Sequence, residues 1–208
     1  MLVDLSVEEF SRVLGSDSPA PGGGSVAALS GSLGADLVSM VCRLSIGKKG
    51  FEPFESELEG ILDNGQILSK SLLKRVDLDT EAFNGVMAGF KMPKETDDEK
   101  VTRRDAVQAA YKEAVQSPLG IARECLAVLR LAENLVGKSN PNTLSDLGVA
   151  SQQAYAGLAG AIMNVNINLP SIKDGDFLET ILSEMATFLE DGGKIRDAVH
   201  KYVSENSA

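Results

Sequence analysis

The chain has 208 residues, 43% of them hydrophobic, which is enough for one well-buried core and makes a single domain, residues 1–208, the expectation. A formal net charge of −10, five per cent aromatics and no tryptophan exclude the basic stripe or stacking platform of a nucleic-acid binder and disfavour an anionic membrane surface. Any anionic substrate must therefore be met by a local cluster of cations against an unfavourable overall field.

Ser6-Val7-Glu8-Glu9 spells a capping box that opens a short amphipathic helix through Phe10, Val13 and Leu14. The N-terminus, acidic within four residues and without a basic region, does not read as a signal peptide. The chain is organised around the next stretch, Asp17 to Ile46. Pro19, Pro21 and Gly22-Gly23-Gly24 form a loop, and Ser25 is placed to cap a helix whose apolar positions Val26, Leu29, Leu33, Leu37, Met40 and Leu44 recur at helical spacing. Ala27, Ala28, Ser30, Gly31, Ser32, Gly34 and Ala35 suit close approach of another backbone, so this helix is expected to be buried and central. Read by its spelling, the loop is a tight turn with an N-cap more often than an anion cradle. It lacks the lysine of a P-loop. Asp36 and Arg43 make the helix a core element rather than a membrane span.

The central helix is expected to end at Gly47, where Lys48 and Lys49 either neutralise the carbonyl end of the helix or supply a basic spot for an anionic ligand. From about Glu52 to Phe90 the pattern is helical. Its stripe Leu72, Val76, Asp79, Phe83, Val86, Phe90 puts a carboxylate where an apolar residue belongs, whereas Asp77 falls off the stripe and is expected to be solvated. A carboxylate on a buried helix face has a polar partner or a raised pKa, so Asp79 is either one half of a buried ion pair or an acid–base group.

Thr96-Asp97-Asp98-Glu99 makes a second capping box, opening a helix to about Val136 that Pro118 should kink or split after Ser117, with Arg103, Arg104 and Lys112 on its wet face. A loop, Gly137 to Thr143, leads to another small-residue helix from Leu144, with Gly148, Gly157 and Gly160. This helix is expected to pack on the first small-residue helix or across a dimer axis. Its end carries Asn164, Asn166 and Asn168, amides that either cap carbonyls, the commoner use, or read a heteroaromatic edge. A last helix is expected from Asp176, with Glu179 completing its box and Gly192-Gly193 marking a bend. No period-two pattern occurs. The fold expected is an all-α single-domain bundle of long, small-residue-rich helices, dimeric through its glycine-rich faces.

Cys42 and Cys125 stand in helical patterns without a C-x-x-C, which fits a reduced, cytoplasmic protein, and the single histidine, His200, excludes Ser-His-Asp and His-rich metal chemistry. No metal and no cofactor is expected. What remains is acid–base work by carboxylates, with Asp79 and Asp146 best placed; a carboxylate suits a substrate that is or becomes cationic.

Pro19 to Ala28, Gly47-Lys48-Lys49, Asp79 with Ala82-Phe83, Met92-Pro93-Lys94, Pro118-Leu119, Asn140 with Leu144-Ser145-Asp146, and Asn164-Val165 with Ile167-Asn168-Leu169 follow in this order. As an ordered set they resemble the cyclodeaminase family of folate enzymes over almost the whole chain. The family includes formiminotetrahydrofolate cyclodeaminases, alone or as the second domain of a bifunctional enzyme, and related methenyltetrahydrofolate cyclohydrolases. With no formiminotransferase domain in the sequence, the stand-alone form is expected. The resemblance implies conversion of 5-formiminotetrahydrofolate to 5,10-methenyltetrahydrofolate and ammonia, or alternatively hydrolysis of 5,10-methenyltetrahydrofolate to 10-formyltetrahydrofolate. It implies Asp79 as proton carrier and Asp146 as a group that orients or balances charge. Lys48 and Lys49 would meet the glutamate tail, and Gly22, Gly23, Gly24, Ser25, Asn140, Asn164 and Asn168 would serve as further substrate contacts. A non-catalytic dimerisation scaffold is the competing reading.

Overall fold

The computed structural model describes the backbone of residues 1–207 and every side chain among them except those of residues 79–83. Among the described residues there is no strand, and six α-helices account for most of the chain: α1 (Val7–Leu14), α2 (Gly23–Arg43), α3 (Glu55–Phe90), α4 (Asp97–Asn134), α5 (Leu144–Asn168) and α6 (Gly175–Asn206). Both capping boxes form as spelled: the Ser6 and Thr96 hydroxyls accept from the N–H groups of Glu9 and Glu99, whose carboxylates reach back.

The hub is α2, packed between α3 and α5, and its small residues explain why. A Cβ at Gly34 would lie 2.9 Å from the carbonyl oxygen of Ala150, and one at Gly157 would lie 2.7 Å from that of Ala27. The two small-residue helices thus pack on each other within one chain, backbone against backbone. On its other side α2 runs antiparallel to α3, with the Ser25 hydroxyl donating to the Val76 carbonyl at 2.8 Å and Ser32 meeting Ser69. An 18-residue window of α2 has mean hydropathy 1.5, apolar enough to cross a membrane, but 61% of that window is buried inside the bundle, as a core helix requires. Cys42 and Cys125 are buried and unpaired; burial pushes the Cys42 thiol up to about 12 and the Cys125 thiol higher still.

Several local expectations change. Ser25 is not the cap: Gly22 is, without a side-chain cap bond, and the Ser25 hydroxyl lies inside the first turn, spent on α3. The helix stops at Arg43, because Ser45 and Ile46 both turn back onto the Cys42 carbonyl, and Gly47 lies beyond at φ 71°. The last helix begins one residue earlier than expected, with Asp174 capping Phe177. Gly192-Gly193 does not break it, and a Cβ at Gly192 would meet Leu158 at 2.9 Å, so that glycine serves packing. Asp77 is not free in solvent, since its carboxylate accepts from the backbone N–H of Leu2 at 2.6 Å and pins the N-terminus to α3.

Pro118 does not split α4, which runs unbroken from Asp97 to Asn134. The missing N–H leaves the carbonyl of Ala114 without its helical partner. That carbonyl is taken by Asn168 Nδ2 of α5 at 3.2 Å, so a neighbouring helix supplies the donor the proline lacks.

Candidate active site

Because α3 starts well before and ends well after its pairing with α2, its C-terminal half continues past the α2 N-terminus alongside α4. Where this arm leaves the bundle, a cavity of about 390 Å³ opens. Val86, Met87 and Phe90 of α3 line it, with Tyr111, Ala114 and Pro118 of α4 and Asn164, Ile167 and Asn168 of α5. Phe90 and Tyr111 meet edge to face at 6.1 Å and 80°. Arg103, expected on the wet face of α4, instead lies 5.7 Å over the Phe90 ring and donates to the Phe90 carbonyl. Tyr111, Met87 and Ile167 are the liners that a reading for charged and amide residues passes over. The signal for Tyr111 is its spacing from Ala114 and Pro118, three and seven residues on, which sets all three on one face of α4.

Asn164 and Asn168, one turn apart on α5, both reach this cavity. The α2 N-terminus adjoins them, since a Cβ on Gly23 would lie 3.4 Å from Asn164 Nδ2. Gly22, Gly23, Gly24 and Ser25 therefore stand at the cavity end of the molecule. So does the backbone of Asp79, one turn beyond Val76 on α3 and seven residues, about 10 Å, before Val86. The Asp79 side chain lies outside the described residues. Of its stripe neighbours, Leu72, Val76 and Val86 are buried as expected, whereas Phe90 at the end of the stripe is 44% exposed.

The remaining residues lie elsewhere. Asp146 sits in the first turn of α5, eighteen residues and about 27 Å along that helix from Asn164. Within one chain Asp146 therefore stands far from the cavity end of α5. Asn140 is at the same far end, with its side chain committed to the loop: Nδ2 donates to the Leu44 carbonyl at 3.0 Å and Oδ1 accepts from the Asn142 N–H. Lys48 and Lys49 are exposed just past the C-terminus of α2. The expected site residues thus form two groups at opposite ends of the antiparallel α2–α5 pair. Among the described residues no cluster of metal-ligating side chains occurs.

The sequence profile of formiminotransferase-cyclodeaminase matches residues 6–187. The chain belongs to this family. It is 41% identical to a methenyltetrahydrofolate cyclohydrolase of Methylorubrum extorquens over 95% of both chains. It is 35% identical to the formimidoyltransferase-cyclodeaminase of Rattus norvegicus over 91% of its own length, spanning 35% of that longer protein. Its fold matches the crystal structure of a formiminotetrahydrofolate cyclodeaminase from Thermotoga maritima with a TM-score of 0.83 and 29% identity, covering 99% of this chain and 97% of the other. The all-α architecture and the family membership expected from the ordered motifs both hold.

Proposed function

We propose that this chain is a folate one-carbon enzyme acting where the formyl-level carbon bridges N5 and N10 of tetrahydrofolate. The observation that carries the reading is the full-length 41% identity to a methenyltetrahydrofolate cyclohydrolase, and the aromatic, amide-lined cavity beside the C-terminal part of α3, the helix whose backbone carries Asp79, is consistent with it. In the hydrolytic direction, water adds to the cationic methenyl carbon, the C–N5 bond breaks, N5 gains a proton, and one proton is released with 10-formyltetrahydrofolate. In the cyclodeaminase direction, N10 attacks the carbon of the protonated formimino group, the N10 proton passes to the formimino nitrogen, and the bond between the carbon and that nitrogen breaks to release ammonia and leave the methenyl cation. The crystal-structure relative and the bifunctional relatives favour this second direction. Both need a proton carrier beside an amidinium, the role assigned here to Asp79. Folate is the substrate and no cofactor takes part.

The separation of Lys48, Lys49, Asn140 and Asp146 from the cavity is resolved in a homodimer. The outer face of α2 and α5 presents Leu33 at 47% and Val149 at 49% exposure beside Leu37 and Met40, a mainly apolar shallow cleft that Asp36 and Gln153 also line. A two-fold axis through this face, set across the helices, would bring the far end of one copy to the cavity end of the other. A cytoplasmic location accompanies the reading.

The test follows the methenyl absorbance and free ammonia together. Growth of both from 5-formiminotetrahydrofolate identifies the cyclodeaminase; accelerated decay of added 5,10-methenyltetrahydrofolate without ammonia chemistry identifies the cyclohydrolase. Neither activity would return the chain to a scaffold role.

A further inference from the structure

The two side-chain amides that line the cavity have one polarity, beside the hydroxyl-bearing Tyr111 and Ser171, whose groups can donate or accept. Asn164 Nδ2 donates to the Gly160 carbonyl at 2.8 Å, and Asn168 Nδ2 donates to the carbonyls of Ala114 at 3.2 Å and Asn164 at 3.0 Å. Carbonyl oxygens only accept, so the NH2 end of each amide must face the helices; exchanging N and O would set oxygen against oxygen. Pro118 reinforces this polarity, because it is the reason the Ala114 carbonyl needs a donor from outside α4. The Oδ1 atoms of Asn164 and Asn168 keep their lone pairs, and neither accepts a hydrogen bond from the described residues. None of the described residues that line the cavity is charged, and the Phe90–Tyr111 pair and Pro118 supply flat apolar walls.

From this we infer that the cavity holds a planar heteroaromatic ring by its N–H donor edge, with Asn164 and Asn168 as obligate acceptors. Under the folate reading, on which the ring's name rests, that edge is the 2-amino group and N3–H of the pterin. That edge offers two adjacent donors, and α5 offers two acceptors on one face, one helical turn apart. The 4-oxo group flanks N3–H on this same side, and the reactive N5, on the other ring, is left free for the turn of α3 that carries Asp79. A site with fixed acceptors rejects a ring lacking the donors, because its oxygens are then left unpaired against an apolar wall.

The experiment compares binding of 5-formyltetrahydrofolate and its 2-deamino analogue, hydrogen replacing the amino group, to the wild-type protein by calorimetric titration. The expected result is at least about tenfold weaker binding of the analogue, the equivalent of one lost hydrogen bond in a partly buried site. Tyr111→Leu should weaken both compounds alike and leave their ratio unchanged. Equal affinity of the two compounds for the wild type overturns the acceptor assignment while leaving the folate reading intact. Binding of neither compound, together with no turnover in the methenyl assay, overturns both.

Discussion

The link between Pro118 and Asn168 can be measured without any substrate. Replacing Asn168 by Ala removes the Nδ2 donor and leaves the carbonyl of Ala114, a residue only 7% exposed, with no protein partner. Leaving a buried acceptor unmet costs about 1–3 kcal/mol. In a Pro118→Ala background, residue 118 regains an N–H that can close the ordinary helical bond to the same carbonyl, so removing Asn168 should cost less. The expected interaction energy in the double-mutant cycle is about 1 kcal/mol, with the amide mattering more when the proline is present. Whatever packing the proline ring itself contributes cancels in the cycle. Urea unfolding of the four proteins at one fixed concentration gives the quantity directly, and thermal midpoints should differ by about 2–4 °C per kcal/mol for a chain of this size. Additivity within about 0.3–0.5 kcal/mol would show that Asn168 does not substitute for the missing N–H, and the amide polarity argued for the cavity would lose its anchor.

Gly157→Ala should be strongly destabilising, by about 1–3 kcal/mol or more, because the new methyl meets the Ala27 carbonyl at 2.7 Å and the Gly31 nitrogen at 3.0 Å; the control Gly193→Ala, with nothing within 4 Å, should raise stability by about 0.5–1 kcal/mol. Arg75 lies against Gly120 and bonds Glu124 at 2.8 Å, and Glu124 Oε2 has no partner among the described residues, so Arg75→Met should destabilise the fold more than Arg75→Met combined with Glu124→Met; thermal unfolding of both decides it. Cys42 and Cys125, buried with thiols pushed up by desolvation, should resist iodoacetamide at pH 8 in the folded protein and take up two adducts in urea, read by mass spectrometry. The backbone N–H groups of Thr96 and Glu95 hold Glu99 below the ordinary carboxylate value of 4.5, so its folded state binds the proton later than the unfolded chain does. The stabilisation it gives the start of α4 is therefore present above about pH 4.5 and lost as pH falls further; a Glu99→Gln protein should show a flatter melting-temperature profile over that acid range.

The helices were legible in the sequence because each long element carries an apolar stripe and two of them carry capping boxes, signals that are local and strong. The meeting of α2 with α5 was legible for a different reason: two helices rich in Gly, Ala and Ser pay for their poor intrinsic propensity only by close packing, and each needs a partner as small as itself. What local signals misplace are the points decided by another helix. Ser25 has a capping residue's chemistry, but Val76 of α3 offers its hydroxyl a buried carbonyl, and Gly22 takes over the cap. Pro118 should break a helix, yet Asn168 satisfies what it breaks. Of the candidate site, chemistry picked the residue types, while the distance between them was hidden. Asp146 and Asn164 are eighteen residues apart in sequence and read as neighbours in a motif series, but a straight helix turns that spacing into about 27 Å.

The same geometry suggests how neutral and charged groups divide the work. Amide oxygens fixed by helix carbonyls can hold a heteroaromatic donor edge without adding charge, so they bind the ring equally well before and after the bridge carbon becomes cationic. Uniform binding of that kind sets affinity and leaves the barrier untouched. The barrier must be lowered by a group that senses the bridge, and no described residue lining the cavity carries a charge to do it. On α3 the first carboxylate in the stripe before Val86 is Asp79, which makes the prediction specific: Asp79→Asn should abolish turnover in the methenyl assay while leaving the affinity for 5-formyltetrahydrofolate within about threefold. Loss of binding together with turnover would place Asp79 among the ring contacts instead. Retained turnover would require the charge to come from elsewhere, and in a homodimer Asp146 of the second copy is the carboxylate to replace next.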